Sequence, residues 1–142
     1  MADTLKSRPE FRNIHITDLR NYRLPPAGIV SILHRVSGLL MFVLLPFIIW
    51  MFDASVTSEV SFDGFRSAFV AGVGFVPGWF VKLVGLGLIW AYLHHFIAGL
   101  RHLWMDGTHR VSRQQGHSSA LETLGVSVAL TLLLGAKLFG LY

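Results

Sequence analysis

The sequence predicts an all-α membrane protein built on three transmembrane helices, and three observations carry that prediction. Of its 142 residues 53% are hydrophobic, and a mean hydropathy of +0.56 is too apolar for an ordinary soluble domain. Three separate stretches are long enough, at about 1.5 Å per residue, to cross a hydrocarbon core of roughly 30 Å. Most charged residues lie between those stretches or near their ends. The net charge of +4 is not gathered in a nucleic-acid recognition module, so it reads as membrane-facing charge. With no cysteine, the chain carries neither a disulfide framework nor an ordinary thiolate-held iron–sulfur cluster.

Residues 1–28 form a polar N-terminal segment with Lys6, Arg8, Arg12, Arg20 and Arg23, and Pro25-Pro26 disfavours helix up to that point. The segment has no continuous apolar run and contains Asp3, Glu10 and Asp18. It therefore fits neither a cleaved signal peptide nor an acid-poor transit peptide, and a bacterial chain whose first helix inserts directly is expected. The first transmembrane helix is expected over 29–51, interrupted strongly only by Ser31, His34 and Arg35 near its start, with Pro46 placed to kink its far half.

Residues 52–78 read as a loop: Asp53, Glu59, Asp63 and Arg66 precede the turn-prone run from Gly72 to Gly78. Those glycines do not have dinucleotide-binding spacing. A second transmembrane helix is expected over 79–104, bounded by Trp79 and Trp104 as interfacial anchors, with Lys82 reaching the near surface. Residues 105–119 form a polar connection in which Asp106 reads as a helix-end carboxylate, or as a partner for Arg101 or Arg110. The third helix is expected over 120–142, with Glu122 and Lys137 near its ends and Gly125 with Ala129 as a small-residue packing pair.

Five basic residues precede the first span and two, Arg110 and Arg113, lie in the second connection, against Arg66 alone in the first. The positive-inside rule places the N-terminus and residues 105–119 in the cytoplasm of a bacterial inner membrane, and residues 52–78 in the periplasm. It also brings Ser31, His34 and Arg35 to the same side as Arg101 and His102.

The segment from Trp90 to Asp106 carries His94, His95, Arg101 and His102 among apolar residues, and ionisable groups at membrane depth mark function. His95, Gly99 and His102 share one helix face, whereas His94 begins a neighbouring stripe through Ala98 and Arg101. His95 lies ~10 Å deeper than His102, and His34 and Arg35 lie about two turns inside the first helix. An edge-on haem requires this order: an imidazole at the iron, with cationic groups near the surface for its propionates.

Gly38 and Gly99 each follow a histidine by four residues. The missing side chains serve either macrocycle clearance or helix packing. Spacing does not choose between His94 and His95 as ligand. On these depths His34 sits too shallow to be the second axial ligand, which is therefore expected from another chain. Ser31 and Arg35, one turn apart, offer a hydroxyl and a cation suited to quinone carbonyls; an arginine reaching lipid phosphate beside a serine bonded to its own helix is the alternative.

The stretches Ser31-Ile-Leu-His34-Arg35-Val-Ser37-Gly38 and His95-Phe-Ile-Ala-Gly99-Leu-Arg101-His102-Leu-Trp-Met-Asp106, with Arg8-Pro9 before them, resemble the cytochrome b subunits of succinate dehydrogenases. These are the larger membrane anchors of respiratory complex II. The resemblance implies His95 as an axial ligand of haem b, with His34, Arg35 and His102 near the propionates. It implies a ubiquinone site at Ser31 and Arg35, electrons arriving from an iron–sulfur subunit fed by a flavoprotein subunit, and a second small anchor supplying the other haem ligand. It gives His94 and His15 no role. Two other functions fit the bare residues: the anchor of a quinol:fumarate reductase, and, from a different class, a small histidine-lined metal or ion transporter.

Overall fold

The computed structural model describes residues 15, 17–18, 21–109 and 112–142. Lys6, Arg8, Pro9, Arg12, Arg20 and Arg110, used above for resemblance and orientation, lie outside the described residues. Within them the chain forms helices α1 (Pro26–Val43), α2 (Leu45–Val56), α3 (Glu59–Val70), α4 (Gly78–Thr108) and α5 (Arg113–Leu138). A two-residue hairpin, β1 (Gly72–Val73) with β2 (Val76–Pro77), precedes α4. Helices α1, α4 and α5 are long and apolar enough to cross a membrane, and they pack on one another with α4 central.

Proline sets both ends of the first helical stretch. Pro26 occupies the first turn of α1, where its missing N–H leaves no bond unmade. Pro46 does the same for α2, and the chain breaks at Leu44 (φ −88, ψ 4). The expected kink in 29–51 is thus a division into two helices.

The expected irregular connection over 52–78 is largely ordered. A reciprocal cap opens α3, Ser61 N–H donating to Ser58 Oγ at 3.1 Å and Ser58 N–H to Ser61 Oγ at 3.0 Å. Along one face of α3 Phe62 stacks on Phe65 and Phe65 meets Phe69 edge to face, and Phe69 lies against the bare backbone at Gly85 of α4. The spacing of those phenylalanines was a helical signal that the surrounding polar residues obscured. Gly72 (φ 103) and Gly74 (φ 58) supply the left-handed backbone of the hairpin.

The polar connection over 105–119 also contains more helix than its composition announced. Helix α4 runs to Thr108 and ends at His109 in the left-handed conformation (φ 52). Helix α5 begins at Arg113 behind a second box, in which Ser112 Oγ accepts from Gln115 N–H at 3.3 Å. Polarity marks where hydrocarbon ends; capping marks where the helix ends.

The packing surfaces are made of small and hydroxyl residues, and large apolar side chains point outward. On α5 the buried stripe is Ala120, Thr123, Ser127, Thr131 and Gly135. It meets Val30 of α1 and Ala91, His94, Ala98 and Arg101 of α4 in the interior. Without a hydrophobic drive between helices in lipid, close backbone approach of this kind holds the bundle together. At Gly135 of α5 a Cβ would lie 2.7 Å from Leu86 Cδ1 of α4. The anticipated Gly125–Ala129 pair instead faces outward, with nothing within 4 Å of a Cβ at Gly125.

Candidate functional site

The site forms where the first half of α1 crosses the second half of α4. Going from His34 to Gly38 on α1, the partners on α4 go from His102 and Gly99 back to His95, so the two helices run antiparallel. The His34 and His95 rings stack with centroids 4.1 Å apart and planes at 22°. His102 lies beyond, its ring 5.4 Å from that of His34. His34 and His95 are half-buried and His102 is exposed.

His95 is oriented by the backbone of α1. Its Nδ1 lies 3.0 Å from the His34 carbonyl oxygen and 3.3 Å from Ser37 Oγ. A carbonyl oxygen only accepts, so Nδ1 must carry the proton and Nε2 is left with its lone pair. Ser37, fully buried, donates to the same carbonyl at 2.9 Å. Ser37 was present in the sequence motif without a role, because a serine bonded to its own helix is ordinary; only the crossing of α4 makes it a neighbour of His95.

The two glycines each face the histidine of the opposite helix, and Gly38 alone is needed to make room for it. A Cβ at Gly38 would stand 2.9 Å from His95 Cε1 and 3.2 Å from its Nδ1. One at Gly99 would stand 3.9 Å from His34 Nε2. At Gly38 the missing side chain gives clearance between the helix backbone and the opposing imidazole. The depth expectation also changes, because His34 and His95 lie at one level, joined by the hydrogen bond. Depths counted from the apolar ends of two helices have no common origin, since α4 continues for several residues beyond its apolar part.

Among the described residues no group of three or more His, Asp or Glu side chains is set to hold a bare metal ion. Ser31 is half-buried and Arg35 exposed, on either side of His34 along α1, and among the described residues neither side chain is tied up in a hydrogen bond or ion pair.

His94 points elsewhere. It is 0% exposed, its Nδ1 is 3.2 Å from Ser127 Oγ on α5, and its ring stacks on Trp90. Its Nε2 is buried with no hydrogen-bond partner. His15 is spent locally, its Nδ1 2.8 Å from Thr17 Oγ1 in a turn closed on Asp18.

Fold and site together define a multi-pass helical membrane protein that carries a backbone-oriented histidine between two of its spans. The family described as succinate dehydrogenase/fumarate reductase transmembrane subunit matches residues 10–134, and the chain belongs to it. The succinate dehydrogenase cytochrome b556 subunit of Paracoccus denitrificans is 34% identical over 115 residues, covering 81% of this chain and 83% of that protein. The subunit of the same name from Coxiella burnetii is 32% identical over 118 residues, covering 83% and 90%. Family and relatives together indicate a succinate dehydrogenase cytochrome b membrane subunit.

Proposed function

We propose that this chain binds haem b through His95 Nε2 and forms part of the ubiquinone-reducing site of a succinate:ubiquinone oxidoreductase. The observation that carries the reading is the bond from His95 Nδ1–H to the His34 carbonyl. A metal-bound histidine ordinarily donates its other ring N–H to a backbone carbonyl or carboxylate, which fixes the tautomer and raises ligand basicity. His94 lacks access: its ring is wholly enclosed and its Nδ1 is taken by Ser127. The cytochrome b556 name borne by both relatives supports the same group.

When bound, the haem supplies one-electron redox chemistry beside the quinone site. His34, Arg35 and His102 are the polar side chains of this chain on the α1–α4 side that serve its propionates. The second axial ligand comes from another small anchor subunit. Ser31 and Arg35 hold and polarise the quinone carbonyl oxygens, on which negative charge grows during reduction. The iron–sulfur and flavoprotein subunits supply the electrons, and the protons come from the cytoplasmic side. The N-terminus and the α4–α5 connection face the cytoplasm of a bacterial inner membrane.

The reduced-minus-oxidised optical spectrum of the purified complex tests the haem assignment. His95→Tyr is expected to abolish or alter the b-type bands, and His94→Tyr to leave them in place in whatever complex assembles. The reverse pattern would overturn the assignment.

A further inference from the structure

Arg101 is a charged side chain, only 8% exposed, that the haem and quinone readings do not use. Its Nε donates to Ser119 Oγ at 2.9 Å and its Nη2 to the Gly116 carbonyl at 3.1 Å. Both partners are neutral, and no carboxylate among the described residues pairs with it. Asp106, the counter-ion considered from sequence, is exposed. A guanidinium has five N–H donors, so three remain after these two bonds. A buried cation without a counter-ion is costly.

Arg101 lines a cavity of about 540 Å³ between α4 and α5, with Ser118, Ser119 and Glu122 above and Ile97 and Val126 toward the membrane interior. At about 100° per residue, Ile97 and Trp104 lie roughly half a turn round α4 from His95. The cavity therefore opens away from the histidine site, at the level where Trp104 marks an interface. Its polar end faces outward along the helices and its apolar end inward, the profile of a lipid rather than of a soluble anion. Glu122 is exposed and unpaired with Arg101. Side chains on α5 lean toward its N-terminus, which raises the carboxylate toward the level of the guanidinium.

We propose that this cavity binds one zwitterionic phospholipid, its phosphate on the Arg101 fork and its ammonium on Glu122, with an acyl chain along Ile97 and Val126. Planar guanidinium geometry matches two phosphate oxygens, and one cation beside one carboxylate matches an ethanolamine head better than a net-anionic one. The proposal does not rest on the haem reading.

Native mass spectrometry of the intact, detergent-washed complex tests it. The wild-type complex is expected to retain one phosphatidylethanolamine per copy of this chain. Arg101→Gln should retain it at least about tenfold less often, the scale of a lost charged hydrogen bond. Ser118→Phe, which fills the cavity from α5 with Arg101 intact, should do the same and carries the test if Arg101→Gln fails to assemble. Glu122→Gln should shift the bound ratio toward phosphatidylglycerol. Equal retention in wild type and Ser118→Phe would overturn the proposal. So would displacement of the lipid by inorganic phosphate, which assigns the site to a free anion, or a photocrosslink from position 118 to a partner subunit in place of lipid.

Discussion

Gly38 on α1 stands against the imidazole of His95 on α4 so closely that a single added methyl would lie 2.9 Å from His95 Cε1. The ring is further held, because its Nδ1 lies 3.0 Å from the His34 carbonyl and the ring stacks on that of His34. The histidine is thus set in a slot with a backbone acceptor at one edge and bare backbone beneath.

Gly38→Ala is therefore expected to displace His95 and to cost about 1–3 kcal/mol, the range for overpacking a fitted interior. Haem per assembled complex should fall and the remaining b-type bands should shift. Gly99→Ala, whose Cβ would make ordinary contact at 3.9 Å with His34 Nε2, should keep both near wild type. Identical haem content in the two variants would remove the slot from the argument.

The His94–Ser127 bond predicts a stability effect separable from the His95 site. Ser127 is fully buried, so Ser127→Ala leaves the His94 Nδ1 enclosed without its partner, a loss of about 1–3 kcal/mol. His94→Phe combined with Ser127→Ala removes both polar groups and should recover part of that loss. Thermal unfolding of the detergent-solubilised complex measures it, with the haem spectrum retained throughout. Two single variants that add without interaction would show that the bond contributes nothing.

Ser31→Ala and Arg35→Ala are expected to lower succinate–quinone reductase activity by about tenfold or more and to weaken quinone-site inhibitors, since each removes a donor to a charge-gaining carbonyl. Succinate oxidation with a soluble dye acceptor should survive, because the flavoprotein chemistry is elsewhere. Unchanged quinone reduction and inhibitor affinity in both variants would move the quinone to other residues.

Orientation is testable because the chain has no cysteine of its own. Phe75, 99% exposed at the hairpin tip, and Gln114, exposed on the first turn of α5, each accept a single introduced thiol. A membrane-impermeant maleimide added to spheroplasts should label Phe75→Cys and spare Gln114→Cys. The opposite labelling would invert the assigned sidedness.

The sequence by itself determined that three helices span a membrane, because apolar runs of that length have no other stable solution where backbone groups must bond within their own segment. It also singled out His34, Arg35, His95 and His102 as candidates, since ionisable side chains inside apolar spans are costly. What it did not determine was register. The level shared by His34 and His95, the facing of each glycine to the opposite helix's histidine, the service of Ser37 to His95, and the inward turn of His94 toward Ser127 all depend on how α1 and α5 slide and rotate against α4. Those degrees of freedom are fixed where small buried residues, Ser37 on α1, Ala98 on α4 and Ser127 on α5, let segments far apart in the chain pack together. Hydropathy cannot report them: it averages over a helix face, whereas the site depends on a few tenths of an ångström at single positions.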